Sequence, residues 1–166
     1  MDMIEKIKLI YKRIFEYLDT PLVSKYPIVN IVLIPNLIKN GESLAAVLTN
    51  HESNETLSEG VIKAFGWDSK KIAIFIANNN EMKPIINTGT KVIVDLSLTN
   101  IVDNKFYVVK IGNNIKINRI IKSKDSNYFI MKAHSNEFSD SFKEITLNRD
   151  YFDVIGKVVM LKDAFI

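Results

Sequence analysis

Cysteine is absent from the 166-residue sequence, and histidine occurs only twice. Without cysteine the chain can form no disulfide, no thiolate metal site and no cysteine nucleophile, which is compatible with a reducing compartment. The two histidines, His51 and His134, are far apart in polar segments. We therefore predict neither a metal site nor a cofactor.

Long hydrophobic runs are also missing. No stretch approaches the roughly 18 consecutive apolar residues that a membrane-spanning helix needs. The first residues, Met-Asp-Met-Ile-Glu-Lys, lack the basic, apolar and small-residue order of a signal peptide. We therefore expect a cytoplasmic protein that does not contact a membrane.

Neither sign of charge dominates. The chain has 22 Lys and Arg against 19 Asp and Glu, which gives a net charge of +3. So small an excess permits contact with nucleic acid but gives no positive argument for it. Hydrophobic residues make up 47% and charged residues 25% of the chain. These values are typical of an ordinary globular domain, and we predict one domain with a short N-terminal appendage.

The appendage is predicted to be an amphipathic helix over residues 3–19, within an N-terminal unit of residues 1–25. Its apolar side chains recur at alternating spacings of three and four, which places them on one stripe; they are Ile4, Ile7, Tyr11, Ile14 and Leu18. Pro21 ends the pattern because proline cannot continue the helical hydrogen bonding. Two interpretations remain open: the helix packs on its own domain, or it pairs with another chain.

Residues 26–166 are predicted to form a mainly β domain with a coiled, partly closed sheet. Runs rich in Ile, Val, Phe and Tyr predict strands at 27–34, 71–77, 91–96, 105–111, 115–121, 128–133 and 154–161. Gly112-Asn113-Asn114 is typical of a tight hairpin. A short helix is predicted over 61–66, and Asn50 to Glu55 is predicted to be an exposed loop.

The most informative stretch runs from Asn78 to Asp95. It resembles the G-D-S-M-x-P-x-I-x-x-G-D-x-V-x-V-D signature of the LexA and phage-repressor family of self-cleaving regulators. The matching positions are Met82, Pro84, Ile86, Gly89, Val92, Val94 and Asp95. Glu81 stands where the family has its serine nucleophile, and a carboxylate cannot replace a hydroxyl in acyl transfer.

The resemblance extends over residues 61–161, because further blocks before and after this stretch occur in the family's order. They lie at 64–72, 106–109, 115–120, 133–138 and 154–159. Several ordered blocks with suitable gaps are more specific than one short motif. The resemblance implies the coiled β fold of the peptidase domain.

The family uses a Ser–Lys dyad, in which an uncharged lysine accepts the serine proton. The lysine of its K-R-L block aligns with Asn118, followed by the matching Arg119. An amide cannot accept that proton, so nucleophile and base are both replaced. Lys116 lies two residues before Asn118 and on the same face of the predicted strand, so it could form an ion pair with Glu81. We regard Glu81, Asn118 and Lys116, with flanking Met82, Pro84 and Arg119, as a vestigial site.

In this family the peptidase domain also dimerises, while a separate helix-turn-helix domain reads DNA. Only one helix is predicted in the first sixty residues, so a UmuD-like arrangement without a DNA-binding domain is expected. The leading hypothesis is a non-catalytic bacterial or phage regulator. It would form a homodimer and contact a repressor, polymerase or other regulatory protein. One alternative is a self-cleaving protein whose base has moved to Lys116. The other is a small DNA-binding regulator, which the modest charge makes doubtful.

Overall fold

The computed structural model describes residues 28–35, 37–38, 42–43, 46, 55–135 and 144–162. The predicted helix over 3–19 and His51 lie outside these ranges, so their predictions stay untested. Within the described residues, no helix is long and apolar enough to span a bilayer.

One twisted sheet organises the described part of the chain. Its nine strands are β1 (Ile28–Ile34), β2 (Glu55–Ser58), β3 (Ile72–Ile76), β4 (Lys91–Asp95), β5 (Lys105–Ile111), β6 (Asn114–Lys122), β7 (Tyr128–Lys132), β8 (Glu144–Asn148) and β9 (Asp153–Leu161). Their spatial order is β2-β1-β3-β4-β9-β5-β6-β7-β8. The β1–β3 pair is parallel, and all other pairs are antiparallel. The prediction of a mainly β fold is confirmed.

Two strands at the borders of this sheet were not predicted. Glu55, assigned from the sequence to an exposed loop, begins β2, and its side chain is only 14% exposed. At Glu55 that prediction was wrong, because two lysines of other elements contact its carboxylate, which the local sequence does not reveal. The rest of the predicted loop, residues 50–54, lies outside the described ranges. The other missed strand, β8, has too few apolar residues for a clear strand signal. Both become strands through pairing with a neighbour.

A short helix, α1 (Glu59–Ala64), follows β2 directly. It starts two residues earlier than predicted because the Ser58 side chain accepts a hydrogen bond from the Gly60 N–H and caps the first turn. Gly66, with a φ of 67°, turns the chain away from the helix. Trp67 then stacks on Phe65 with ring centroids 4.6 Å apart, and it packs against the core under α1.

The core lies on both faces of the central strands. β3 and β4 are almost continuous apolar runs, and the inner residues of each are buried. Their alternate side chains enter different clusters, so Phe75 and Val92 join one and Ile74 and Ile93 another. Burial on both faces stabilises these two strands more than any border strand. They therefore provide the rigid support for the connection between them.

The β5–β6 hairpin positions the residues that the sequence singled out. Its two-residue turn has Gly112 at a φ of 60°, as a type II′ turn requires at its first central position. The register pairs Val109 with Lys116 and Tyr107 with Asn118. Because strand side chains alternate, Lys116 and Asn118 emerge on the same face of β6.

Candidate functional site

The connection from Ala77 to Thr90 between β3 and β4, here called the central loop, carries most of the motif identified in the sequence. The Ala77 N–H donates to the Thr90 carbonyl at 2.9 Å, and the Gly89 N–H donates to the Ala77 carbonyl at 2.7 Å. Gly89 has a φ of 87°, a conformation that glycine adopts without strain. Across the loop, Asn80 Oδ1 accepts hydrogen bonds from the Thr88 N–H at 3.2 Å and from its hydroxyl at 2.8 Å. The loop is thus closed by its own backbone and side chains.

Two apolar side chains anchor the central loop in the core. Met82 is 1% exposed and Ile86 is 2% exposed, and both pack in the same cluster as β3 and β4. The Ile86 N–H donates to the Met82 carbonyl at 3.0 Å, and the Lys83–Pro84 peptide bond is cis. The burial of Met82 fixes the backbone at its neighbour, Glu81.

The backbone of Glu81 is bound on both sides. Its N–H donates to Asn79 Oδ1 at 3.0 Å. Its carbonyl accepts hydrogen bonds from the N–H groups of His134 at 2.7 Å and Ser135 at 2.9 Å, which follow β7. Glu81 is therefore held between the central loop and the end of β7, and its side chain projects toward β6.

The Glu81 carboxylate meets both predicted residues of β6. Lys116 Nζ lies 3.2 Å from each carboxylate oxygen, and Asn118 Nδ2 donates to Oε2 at 3.3 Å. The side chains of Glu81 and Lys116 are each 22% exposed. In this partly buried setting the attraction between the charges is stronger than on an open surface, and each charge depends on the other for compensation. The ion pair that strand alternation suggested is present.

Asn118 is buried more deeply than its partners, at 2% exposure. Its Nδ2 reaches Glu81, but its Oδ1 has no hydrogen-bond partner among the described residues. An unsatisfied buried acceptor costs about 1–3 kcal/mol. Position 118 thus holds a polar group that its surroundings satisfy only in part.

An open cleft of about 390 Å³ lies beside the ion pair. Its lining combines amides, one cation and branched apolar side chains: Asn78, Asn79, Ile111, Asn114, Ile115, Lys116, Ile145 and Leu147. Asn78 is fixed there because its Nδ2 donates to the Ile115 carbonyl at 3.0 Å. The sequence identified Lys116 but missed Ile145 and Leu147, because both belong to the unpredicted β8. The apolar positions 145 and 147, two residues apart, were the available signal.

The remaining sequence candidates lie outside this arrangement or support it indirectly. Arg119 projects from the opposite face of β6 to Lys116, and its Nε donates to Asn104 Oδ1. His134 contributes its backbone N–H to Glu81 rather than a ring nitrogen. In the ranges that the structure describes, no group of three or more His, Asp or Glu residues could hold a metal ion.

Chemically, these groups can bind a ligand or position one another. Nucleophilic cleavage needs a nucleophile with a proton acceptor within hydrogen-bond reach. At residue 81 the side chain is a carboxylate that accepts two donors, and at residue 118 it is an amide. Lys116 donates to both oxygens of that carboxylate.

Comparison with known proteins identifies the family of this chain. The model of the Peptidase S24-like family matches residues 33–159. The chain therefore belongs to the Peptidase S24-like family, which includes LexA and UmuD, and the resemblance drawn from the sequence is confirmed. The match begins upstream of the 61–161 stretch on which that resemblance rested.

Among curated proteins, the chain is similar to an uncharacterized HTH-type transcriptional regulator of Haemophilus influenzae. The two are 25% identical over 122 residues, which cover 72% of this chain and 49% of that protein. The chain thus spans about half the length of the curated relative it matches.

Proposed function

We propose that this protein is a non-catalytic member of the LexA and repressor family that dimerises and acts in transcriptional regulation through protein–protein contacts. The observation that carries the proposal is the binding of the Glu81 carboxylate by Lys116 and Asn118 at the position of the family's nucleophile. The regulatory part is supported by the relative's description as a transcriptional regulator.

The absence of catalysis follows from three substitutions that act together. A glutamate nucleophile would have to form an anhydride with the peptide carbonyl, and the amide of Asn118 cannot accept a proton. Family members usually cut themselves at an Ala-Gly or Cys-Gly bond upstream of the serine, and the stretch 32–36, where the cleavage loop would lie, contains neither. Restoring one of these features would leave the other two missing.

The strongest alternative is a self-cleaving protein that uses Lys116 as its base. The structure gives this alternative a lysine in the correct groove, but the lysine donates its protons to Glu81. Incubation of the chain at about pH 10, where an ordinary lysine begins to lose its proton, followed by intact mass measurement separates the two hypotheses.

We expect the mass of the chain to remain unchanged. One specific internal cut that disappears in Lys116→Ala would overturn the proposal. Lys110→Ala is the matched control, since Lys110 lies on the neighbouring strand and pairs with Asp153 outside the site.

Dimerisation has its own test. Light scattering coupled to gel filtration at tens of micromolar should give twice the mass of one chain. A strict monomer would contradict this part of the proposal without bearing on catalysis. Duplex DNA retention that falls steeply with added salt would instead favour the DNA-binding alternative, because phosphate contacts release counterions.

A further inference from the structure

The two borders of the sheet differ in how much of their surface is covered. In the described part of the chain, β2 has no exposed residue, and its first residue, Glu55, is bound by Lys91 and Lys162. At the other border, the first three residues of β8 are exposed. Among the described residues no strand pairs with the outer side of β8. An uncovered strand of this kind can add another strand through its backbone groups.

Three large apolar side chains are exposed at the β8 border. Ile145 is 47% exposed, Tyr128 on the adjacent strand is 41% exposed, and Tyr151 just after β8 is 71% exposed. Between its end residues, β8 reads Ile-Thr-Leu, without charge, proline or glycine. These are the features that natural border strands usually avoid unless something covers them.

We propose that β8 pairs with β8 of a second copy of this chain, antiparallel and centred on Thr146, so that two sheets join into one. The inference rests on the proposed function, because it assigns the interface of the proposed dimer. A two-fold axis at Thr146, the middle residue, is the register that pairs all five residues of the strand.

The sequence of β8 is self-complementary in this register. Ile145 lies opposite the second copy's Leu147, so branched apolar side chains meet on one face. Glu144 lies opposite an uncharged residue, Asn148, and its charge is already compensated by Lys132 of the same chain. No like charges face each other across the axis.

This pairing would also complete the cleft described above. Ile145 and Leu147 form one wall of the cleft on the same face as Lys116. In the joined sheet, the same two residues of the second copy extend that wall beyond the border. The cleft beside Glu81 would then be lined by both copies, and the dimer would present a longer groove to a partner protein than one chain does.

Cysteine cross-linking tests the interface at the level of single residues, since the natural chain has no cysteine. Thr146→Cys places two thiols across the axis, with Cα atoms about 4.5–5.5 Å apart, within the range of a disulfide. Ile145→Cys places them about 8 Å apart, beyond that range. Thr99→Cys, at an exposed position in the connection that follows β4, controls for random collision.

After mild oxidation of these variants, we expect Thr146→Cys to yield at least ten times more disulfide-linked dimer than either control. Ile145→Lys should weaken the dimer of the natural chain at least tenfold in light scattering. A natural dimer in which Thr146→Cys links no more than the controls would overturn the β8 interface but leave the proposed function standing. Preferential linking of Ile145→Cys would overturn the register. A monomeric natural chain would overturn both the interface and the dimerising part of the proposed function.

Discussion

A Cβ atom on Gly156 would lie 2.6 Å from the backbone carbonyl oxygen of Asp95 and 2.8 Å from Val94 Cγ1. Gly156 is in β9, the strand that joins the two halves of the sheet by pairing with β4 and β5. The β9 pairing shifts register on both sides near this glycine. Close approach of β4 is therefore possible only because residue 156 has no side chain.

Gly156→Ala should destabilise the protein by about 2 kcal/mol or more, since overpacking a filled site forces the backbone to move. The free energy of unfolding from urea titration measures the change. Lys157→Ala, at the neighbouring half-buried position, should have a smaller effect. Equal stability of Gly156→Ala and the natural chain would show that β4 can shift without cost.

The Glu81–Lys116 pair can be measured with a double-mutant cycle. Glu81→Gln or Lys116→Met alone should cost about 1–2 kcal/mol of unfolding free energy, because each leaves a partly buried charge without its partner. The double variant should be less destabilised than the sum of the two. Strict additivity would show that the pair contributes nothing beyond its separate side chains.

Position 118 should discriminate between an apolar and an acidic replacement. Asn118→Leu removes the unsatisfied Oδ1 together with one long hydrogen bond, so its stability should lie within about 1 kcal/mol of the natural chain. Asn118→Asp places a second buried carboxylate beside Glu81 and should cost about 2 kcal/mol or more at neutral pH. Urea titrations at pH 7 and pH 5 should show the Asp variant recovering at the lower pH. An Asn118→Asp variant that is as stable as Asn118→Leu would contradict this prediction.

The carboxyl group of Glu55 makes the stability of the fold depend on pH in the acidic range. Its hydrogen bond from Lys162, assisted by one from Lys91, lowers the pKa of this carboxyl below the ordinary value of 4.5. Because the folded-state pKa is depressed, the stabilisation is complete above pH 4.5 and is lost as the pH falls through the lowered value. Glu55→Gln should therefore reduce stability near neutral pH. Below pH 4.5 the variant should lose less stability than the natural chain.

Thermal unfolding followed between pH 3 and pH 7 measures this effect. Glu59→Gln is the control, since Glu59 forms its ion pair with Lys63 along the surface of one helix turn. Parallel pH profiles for Glu55→Gln and the natural chain would contradict the role of Glu55.

The sequence predicted seven of the strands because most of their side chains alternate toward a core or are buried on both faces. It failed at the borders of the sheet. β2 contains Leu57 as its one buried apolar residue, and β8 has only Ile145 and Leu147. Such strands owe their conformation to pairing with a distant segment, and a local pattern cannot supply that information.

The candidate site could likewise be predicted only in part. The facing of Lys116 and Glu81 could be foreseen, because strand alternation and one family motif sufficed to place both residues. The cleft could not be foreseen, because Ile145 comes from the border strand and Asn79 from a tight segment of the central loop. Those two residues become neighbours only through the complete order of strands.

The central loop carries a broader consequence. Its shape depends on Met82, Ile86 and the Asn80–Thr88 contact, and residue 81 is bound through its main chain. The shape of the central loop therefore does not depend on which side chain residue 81 carries. Evolution can exchange that one group, and with it the chemistry offered to the groove, while the surrounding architecture persists.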